Sequence, residues 1–262
     1  MKKTLIYLFS VLLLTTYACK KEKSEIDSTV KAPLEIEFDH IVGGKKLTLG
    51  ATNKNSLNQD FTIDILKYYI SNIKLKNTEG KEVVVPQDES YFLVDASEKE
   101  SCYAHVKIPE GDYTELSFVL GVDSLRNTKP VEERTGDLDP ANGMYWTWNS
   151  GYIFFKMEGL SSLITSADKT YRLHIGGYGG YDTPTINNIR TITLDLTARG
   201  VAKVRADRKA NIHLLVDLQK AIEGDYVVDF SGDSKKVNIM SPTAGTPIAD
   251  NYVNMFTHDH SH

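Results

Sequence analysis

"LEIEFDH", Leu34 to His40, decides how the chain is read. Leu34, Ile36 and Phe38 alternate strictly with Glu35 and Glu37, and side chains two apart on a strand share one face. His40 continues the apolar face, so it points inward at a strand end. An inward histidine is more often a satisfied core residue than a metal ligand. Working outward, the same short-period signal returns in "FTIDILKYYISNIKL", "EVVVP", "YFLVDA", "AHVKIP", "YTELSFVLGV", "YWTWNSGYIFFKMEG", "YRLHIGG", "IRTITLDL", "NIHLLVDL" and "DYVVDF". Most of these runs are short, rich in β-branched and aromatic residues, and bounded by Gly, Asn, Asp or Pro. Helical periodicity is weak. "VDLQKAIEG" predicts one short helix ending at Gly224, and Asp250 to Phe256 another. Many strands without intervening helices predict an all-β fold, a single antiparallel β-sandwich with long loops and little helix. No Pro/Gly/Ser-rich linker divides it. The expected domain runs over residues 34–239, and residues 240–262 read as an appended tail with a histidine-rich end.

The first residues are of another kind. Lys2 and Lys3 precede an apolar run from Leu5 to Leu14 that only Ser10 interrupts, and small Ala18 precedes Cys19. The run is too short to span a bilayer and reads as a secretory signal over residues 1–18. The box Thr16-Tyr17-Ala18-Cys19 predicts lipidation at Cys19, although Thr16 stands where an aliphatic residue is usual. Several acyl chains on one cysteine anchor stably, since each buried methylene adds about 0.8 kcal/mol. Residues 19–33 then form a charged, flexible tether. The expected location is the cell envelope, lipid-anchored at the outer membrane. Ordinary cleavage nearby would leave a soluble secreted protein instead.

The net charge is −5, and loss of the leader with its two lysines moves it to −7. That argues against a nucleic-acid partner and gives no basic face for lipid headgroups. With Cys19 acylated, Cys102 stands alone, which excludes an intrachain disulfide and a cysteine metal cluster. There is no GxSxG, no HExxH and no catalytic triad, so the chain does not read as an enzyme. Asp137 and Asp139 in "GDLDP" lack the spacing of a calcium loop.

Both tryptophans of the chain, Trp146 and Trp148, lie in "YWTWNSGY". Read as one strand, this stretch puts them on one face. Before it runs the longest connection without strand signals, Val122 to Met144, and long loops inside compact domains are usually functional. His105 and His213 alternate with apolar neighbours and read as solvent-facing. His174 in "YRLHIGGYGGY" sits at the lip of four glycines, Gly176, Gly177, Gly179 and Gly180, which permit close backbone approach. Tyr178 and Tyr181 beside them suit a platform for a glycan or peptide. His258, His260 and His262 alternate in "HDHSH" and suit weak capture of zinc, copper or nickel.

"FDHIVGGKKLTL", "ILKYYISNIKL", "YFLVDA", "GDYTELSFVLGVDSLRN", "GDLDPANGMYWTWNSGYIFFKMEG", "YRLHIGGY" and "NIHLLVDL" occur in this order. Together they resemble the MbnP-like copper-binding protein family over nearly the whole domain. "GVDS…N", "LDP..GMYW.WNSGY" and "HIGG" are the most specific pieces. The resemblance implies an extracytoplasmic β-protein of copper uptake, storage or relay. It implies that histidines and a tryptophan oxidised to kynurenine hold the copper, and that a dihaem peroxidase-like partner performs the oxidation. It points to His40 and His174 as the imidazoles and to Trp148 as the modified residue, with Trp146 as the alternative. Indole is a poor ligand because its nitrogen lone pair belongs to the ring, whereas kynurenine offers an amine and a ketone. Two competing readings remain: an envelope lipoprotein that binds a glycan or peptide at the glycine-tyrosine loop, and a structural lipoprotein with no ligand.

Overall fold

The computed structural model describes residues 26–148 and 151–262. The leader, Cys19 and the tether through residue 25 lie outside the described residues, and the last three residues expected in the tether already belong to the first strand. Among the described residues, no helix is long and apolar enough to cross a membrane.

Ten strands and one helix carry the architecture. They are β1 (Lys31–Val42), β2 (Ile65–Asn77), β3 (Tyr103–Pro109), β4 (Gly111–Leu120), β5 (Tyr145–Trp146), β6 (Gly151–Leu160), β7 (Thr170–Gly176), β8 (Arg190–Asp195), β9 (Ala210–Asp217), α1 (Pro242–Tyr252) and β10 (Phe256–Ser261). The larger sheet runs β8-β4-β2-β6-β7 and ends on the short strand Asn238–Ile239, with further short strands at its margins. The smaller sheet runs β10-β9-β1, with β3 on the other side of β1. The expected all-β sandwich is therefore present, with one refinement. β1 and β9 pair in parallel, Leu34 opposite Ala210 through Ile41 opposite Asp217. β7 also pairs in parallel with Asn238–Ile239. "DYVVDF" forms no strand, although Val228 and Phe230 are buried.

The alternation in β1 does what it predicts. Ala32, Leu34, Ile36, Phe38, His40 and Val42 are all buried. Phe38 meets Tyr68 of β2 at 6.2 Å, Phe118 of β4 at 6.1 Å and Phe256 of β10 at 6.3 Å between ring centroids, each edge to face. Each such buried ring contributes on the order of 1.5–3 kcal/mol through burial, and edge-to-face contacts suit the ring quadrupole. This aromatic cluster joins the two sheets.

The predicted tail is part of the folded unit. Ser241 caps α1, its hydroxyl accepting from the Ala244 amide, and Pro242 occupies the first turn, where its missing N–H costs nothing. β10 then pairs with β9 as an edge strand. Residues 256–261 are therefore not an appended end: Phe256 is buried in the shared core.

Candidate functional site

"YWTWNSGY" is not one strand. β5 ends at Trp146, Thr147 and Trp148 begin a turn, and β5 pairs antiparallel with β6, with Tyr145 opposite Tyr152 and Trp146 opposite Gly151. Trp148 lies in that turn. The two indoles nevertheless stay together, with ring centroids 5.4 Å apart and planes tilted by 41°. Trp146 is buried, at 3% exposure, while Trp148 is 61% exposed.

The long connection from Val122 to Met144 holds this hairpin in place. Asn127 is buried; its side-chain amide donates to the Val122 and Asp123 carbonyls, and its side-chain oxygen accepts from the Tyr152 amide at 2.9 Å. Arg134, also buried, donates to the carbonyls of Asn127 and Lys129. Its guanidinium stacks over Tyr145 at 4.6 Å and Tyr152 at 5.3 Å. The Tyr69 and Tyr152 hydroxyls donate back to the Asp137 and Leu138 carbonyls. Asp137 accepts from the Leu93 amide and so ties the loop to the strand Tyr91–Asp95, while Asp139 accepts from the Ala141 amide within the loop. The motif that precedes the tryptophans thus fastens a loop onto the outer face of the larger sheet.

His174 lies on that same outer face. In β7, Leu173 and Ile175 point into the sandwich opposite Met157 and Phe155, so His174, paired with Lys156, points the other way. It is nevertheless only 6% exposed. Its Nε2 lies 2.7 Å from Glu158 Oε1, and Lys156 Nζ lies 3.5 Å from the same oxygen. The hydrogen bond from His174 and the nearby cations hold the Glu158 carboxyl below the ordinary carboxylate range, against the opposing effect of burial. Donation of Nε2–H to Glu158 leaves Nδ1 with its lone pair. That Nδ1 is buried without a hydrogen-bond partner. This is how a carboxylate prepares an imidazole to act as a metal ligand.

Trp146 packs against the same strand. A methyl group on Gly176 would stand 2.7 Å from the Trp146 ring and 2.4 Å from the Tyr152 carbonyl oxygen, so glycine is required there for the indole to lie on the strand. His174 and Gly176 are two apart and share a face, so Trp146 lies over the same face of the sheet as the imidazole. The indole N–H of Trp146 is also buried without a partner. Outside this pair, a cleft of about 430 Å³ is lined by Trp146, Tyr178, Tyr181, Gly177, Pro242 and Thr243. Gly177, Gly179 and Gly180 all have φ between 87° and 113°, the conformation that lets the loop turn back over the cleft.

The other expected ligands are placed elsewhere. His40 points into the sandwich, with Nε2 2.9 Å from the Tyr68 hydroxyl. Tyr68 pairs with Phe155 across β2 and β6, on the inner face. His40 and His174 are thus on opposite faces of the larger sheet, and one metal ion cannot touch both. His105 is exposed, as expected, beside Glu35. His213 is on the outer face, as its alternation predicts, but Asp259 and His260 of β10 pack against it and leave its side chain 15% exposed. Alternation along β9 could not reveal this, because the covering strand carries no apolar period of its own. His258 turns inward, its Nε2 2.8 Å from Ser261 Oγ, away from His260 and His262.

Comparison with known proteins bears on the fold. No curated protein matches the chain. Among solved structures, MbnP from Methylosinus trichosporium is similar, with a TM-score of 0.61 and 20% identity over 80% of this chain and 83% of that one. The likeness establishes the shared fold. The MbnP family model matches residues 31–241, which takes in the larger sheet, the smaller sheet apart from its edge strand β10, the tryptophan hairpin and His174. On that match the chain belongs to the MbnP family.

Proposed function

We propose that this protein is a copper-associated lipoprotein of the cell envelope, without catalytic activity, that holds copper for uptake, storage or relay. One observation carries the reading: His174 keeps a buried, unpartnered Nδ1, tuned by Glu158, on the sheet face that also carries Trp146 and Trp148. A neutral imidazole of this kind suits copper, and the donor chemistry fits the group that the family resemblance implies. Copper bound here would be cargo, and the chain's own work is to orient the imidazole and exclude water around it. Trp148, the exposed indole, is the one a dihaem peroxidase-like partner reaches; Trp146 is its packing neighbour. Oxidation of Trp148 to kynurenine supplies the second donor. His40 takes no part in this site, because its imidazole faces the aromatic core.

The test is copper titration of protein exported in its native host, alongside His174→Ala and Trp148→Phe, with mass spectrometry of the tryptophan peptide. Both variants should lose tight copper while the fold survives. Undiminished binding by His174→Ala would remove the basis of the proposal. Cys19→Ala should move the protein from the membrane to the soluble fraction.

The cleft beside Trp146 favours a second reading, capture of a saccharide or peptide on Tyr178 and Tyr181. Aromatic faces flanked by polar loop backbone suit such ligands. Tyr181→Ala would then abolish binding in a glycan or peptide screen and leave copper binding unchanged.

A further inference from the structure

The smaller sheet carries a second group of metal-ligating side chains, remote from the tryptophan hairpin. β10 pairs with β9 through a bulge: Leu214 stands opposite His258, but His213 stands opposite His260. The extra residue, Asp259, breaks the two-residue alternation. His258 is thereby turned into the core, and His260 stands beside His213, with ring centroids 4.8 Å apart. Asp259 Oδ2 lies 3.1 Å from His213 Nδ1 and 2.7 Å from His260 Nδ1. One donor atom from each of the three residues lies within 4.8 Å of the others.

The surroundings favour a cation. His213 Nε2 faces Asp39 Oδ2 at 3.8 Å and Glu37 Oε1 at 4.0 Å, both from β1. Glu37 is itself held by the Tyr103 hydroxyl at 3.1 Å. Acids on the far side of the ring favour N–H at Nε2 and leave Nδ1 as the donor, the usual support for a ligating histidine. The His262 ring lies 4.7 Å from that of His260, and the His262 backbone is tied to Asn211 in both directions. Arg199 lies 3.9 Å from the other oxygen of Asp259.

We propose that His213, Asp259 and His260 bind a divalent transition-metal ion of the zinc or copper(II) class. Two imidazoles and one carboxylate are a donor set that such ions accept. The existing contacts of 3.1 and 2.7 Å are close to the separation of about 3.3 Å between ligands of a tetrahedral ion with bonds near 2.0 Å. Seating the ion between the two Nδ1 atoms and the Asp259 carboxylate therefore needs little movement. The strands fix two of the three donors across a ladder, so the site is built into the sheet rather than gathered by a loose end. It stands independently of the copper reading at His174, since it lies on the other sheet.

The experiment is zinc(II) titration of the full mature protein by calorimetry, with His213→Ala, Asp259→Asn and His260→Ala, and with His258→Ala and His174→Ala as controls. Wild type should bind one ion. Each of the three variants should weaken it at least tenfold, and the controls should leave it unchanged. A synthetic peptide of residues 257–262 should bind more weakly than the protein. Equal affinity of peptide and protein, or no effect of His213→Ala, would overturn the proposal. Where His213→Ala does not fold, copper(II) electron paramagnetic resonance of the His174→Ala protein counts the coordinated imidazoles. Two or more support the site, and fewer than two refute it.

Discussion

His40 holds its imidazole inside the sandwich, against Tyr68, and burial pulls its pKa down from 6.5 to about 4. In the unfolded chain the same group titrates at about 6.5. Between those two values the unfolded state binds the proton and the folded state does not, so folding stability falls as pH drops through this window. Above pH 6.5 the group costs nothing, and below pH 4 the loss is complete. The size follows from linkage: about 2 kcal/mol is lost by pH 5 and about 3 kcal/mol by pH 4. Urea unfolding of wild type and His40→Gln at pH 7, 6 and 5 isolates the effect. Glutamine does not titrate, and every other group shifts both proteins alike. The variant has a fixed deficit from altered packing, but wild type should lose about 2 kcal/mol more than the variant between pH 7 and pH 5. Parallel pH profiles would refute the reasoning and show that His40 takes up a proton in the native state. The same measurement bears on copper: with the imidazole fixed against Tyr68, added copper should shift wild type and His40→Gln alike and leave the difference between their profiles unchanged.

Three more outcomes follow from the packing around the sites. Gly176→Ala should destabilise the fold by about 1–3 kcal/mol, because the Tyr152 carbonyl cannot retreat and the Trp146 ring must be displaced; thermal unfolding and a red shift of indole emission read it. Arg134→Met should lose about 2 kcal/mol by leaving the Asn127 and Lys129 carbonyls without their donor, and limited proteolysis should then cut between Val122 and Met144. Deletion of residues 257–262 should lower the thermal midpoint by several degrees, since it bares the edge of β9; an unchanged midpoint would mean that β10 is dispensable.

Much of this was legible from period-2 patterning, and the rest failed for identifiable reasons. The inward direction of His40 follows from Leu34, Ile36 and Phe38 alone. The role of Val122 to Met144 was legible from its length, but not that Asn127 and Arg134 would fasten it. Asn149-Ser150-Gly151 is a turn signal, yet the aromatic runs on both sides made the stretch read as one strand. β10 was missed because "FTHDHS" has no apolar alternation; it is a strand through its pairing with β9. α1 falls earlier than the helix expected at Asp250, since its start is marked by Ser241 and Pro242 rather than by apolar spacing. The parallel pairing of β1 with β9 has no local signature, and neither does the bulge that selects His213 and His260 and rejects His258.

The placement of the copper candidate also has a physical logic. The space between the sheets is filled by Phe38, Tyr68, Phe118, Phe155 and Phe256. An ion there would lose its hydration with no charged partner to replace it, a penalty of several kcal/mol or more. The outer face of the larger sheet differs, because its polar side chains are covered without being made apolar. Lys156 donates to the Gly143 carbonyl, Glu158 accepts from His174, and the loop and hairpin close above them. A histidine there is dry enough to keep an unpartnered nitrogen and is oriented by its hydrogen bond to Glu158. The buried Trp146 and the exposed Trp148 stack over the same face of the sheet. In such a fold a metal site belongs under a fastened loop rather than within the sandwich, and this separates the role of His174 from that of His40.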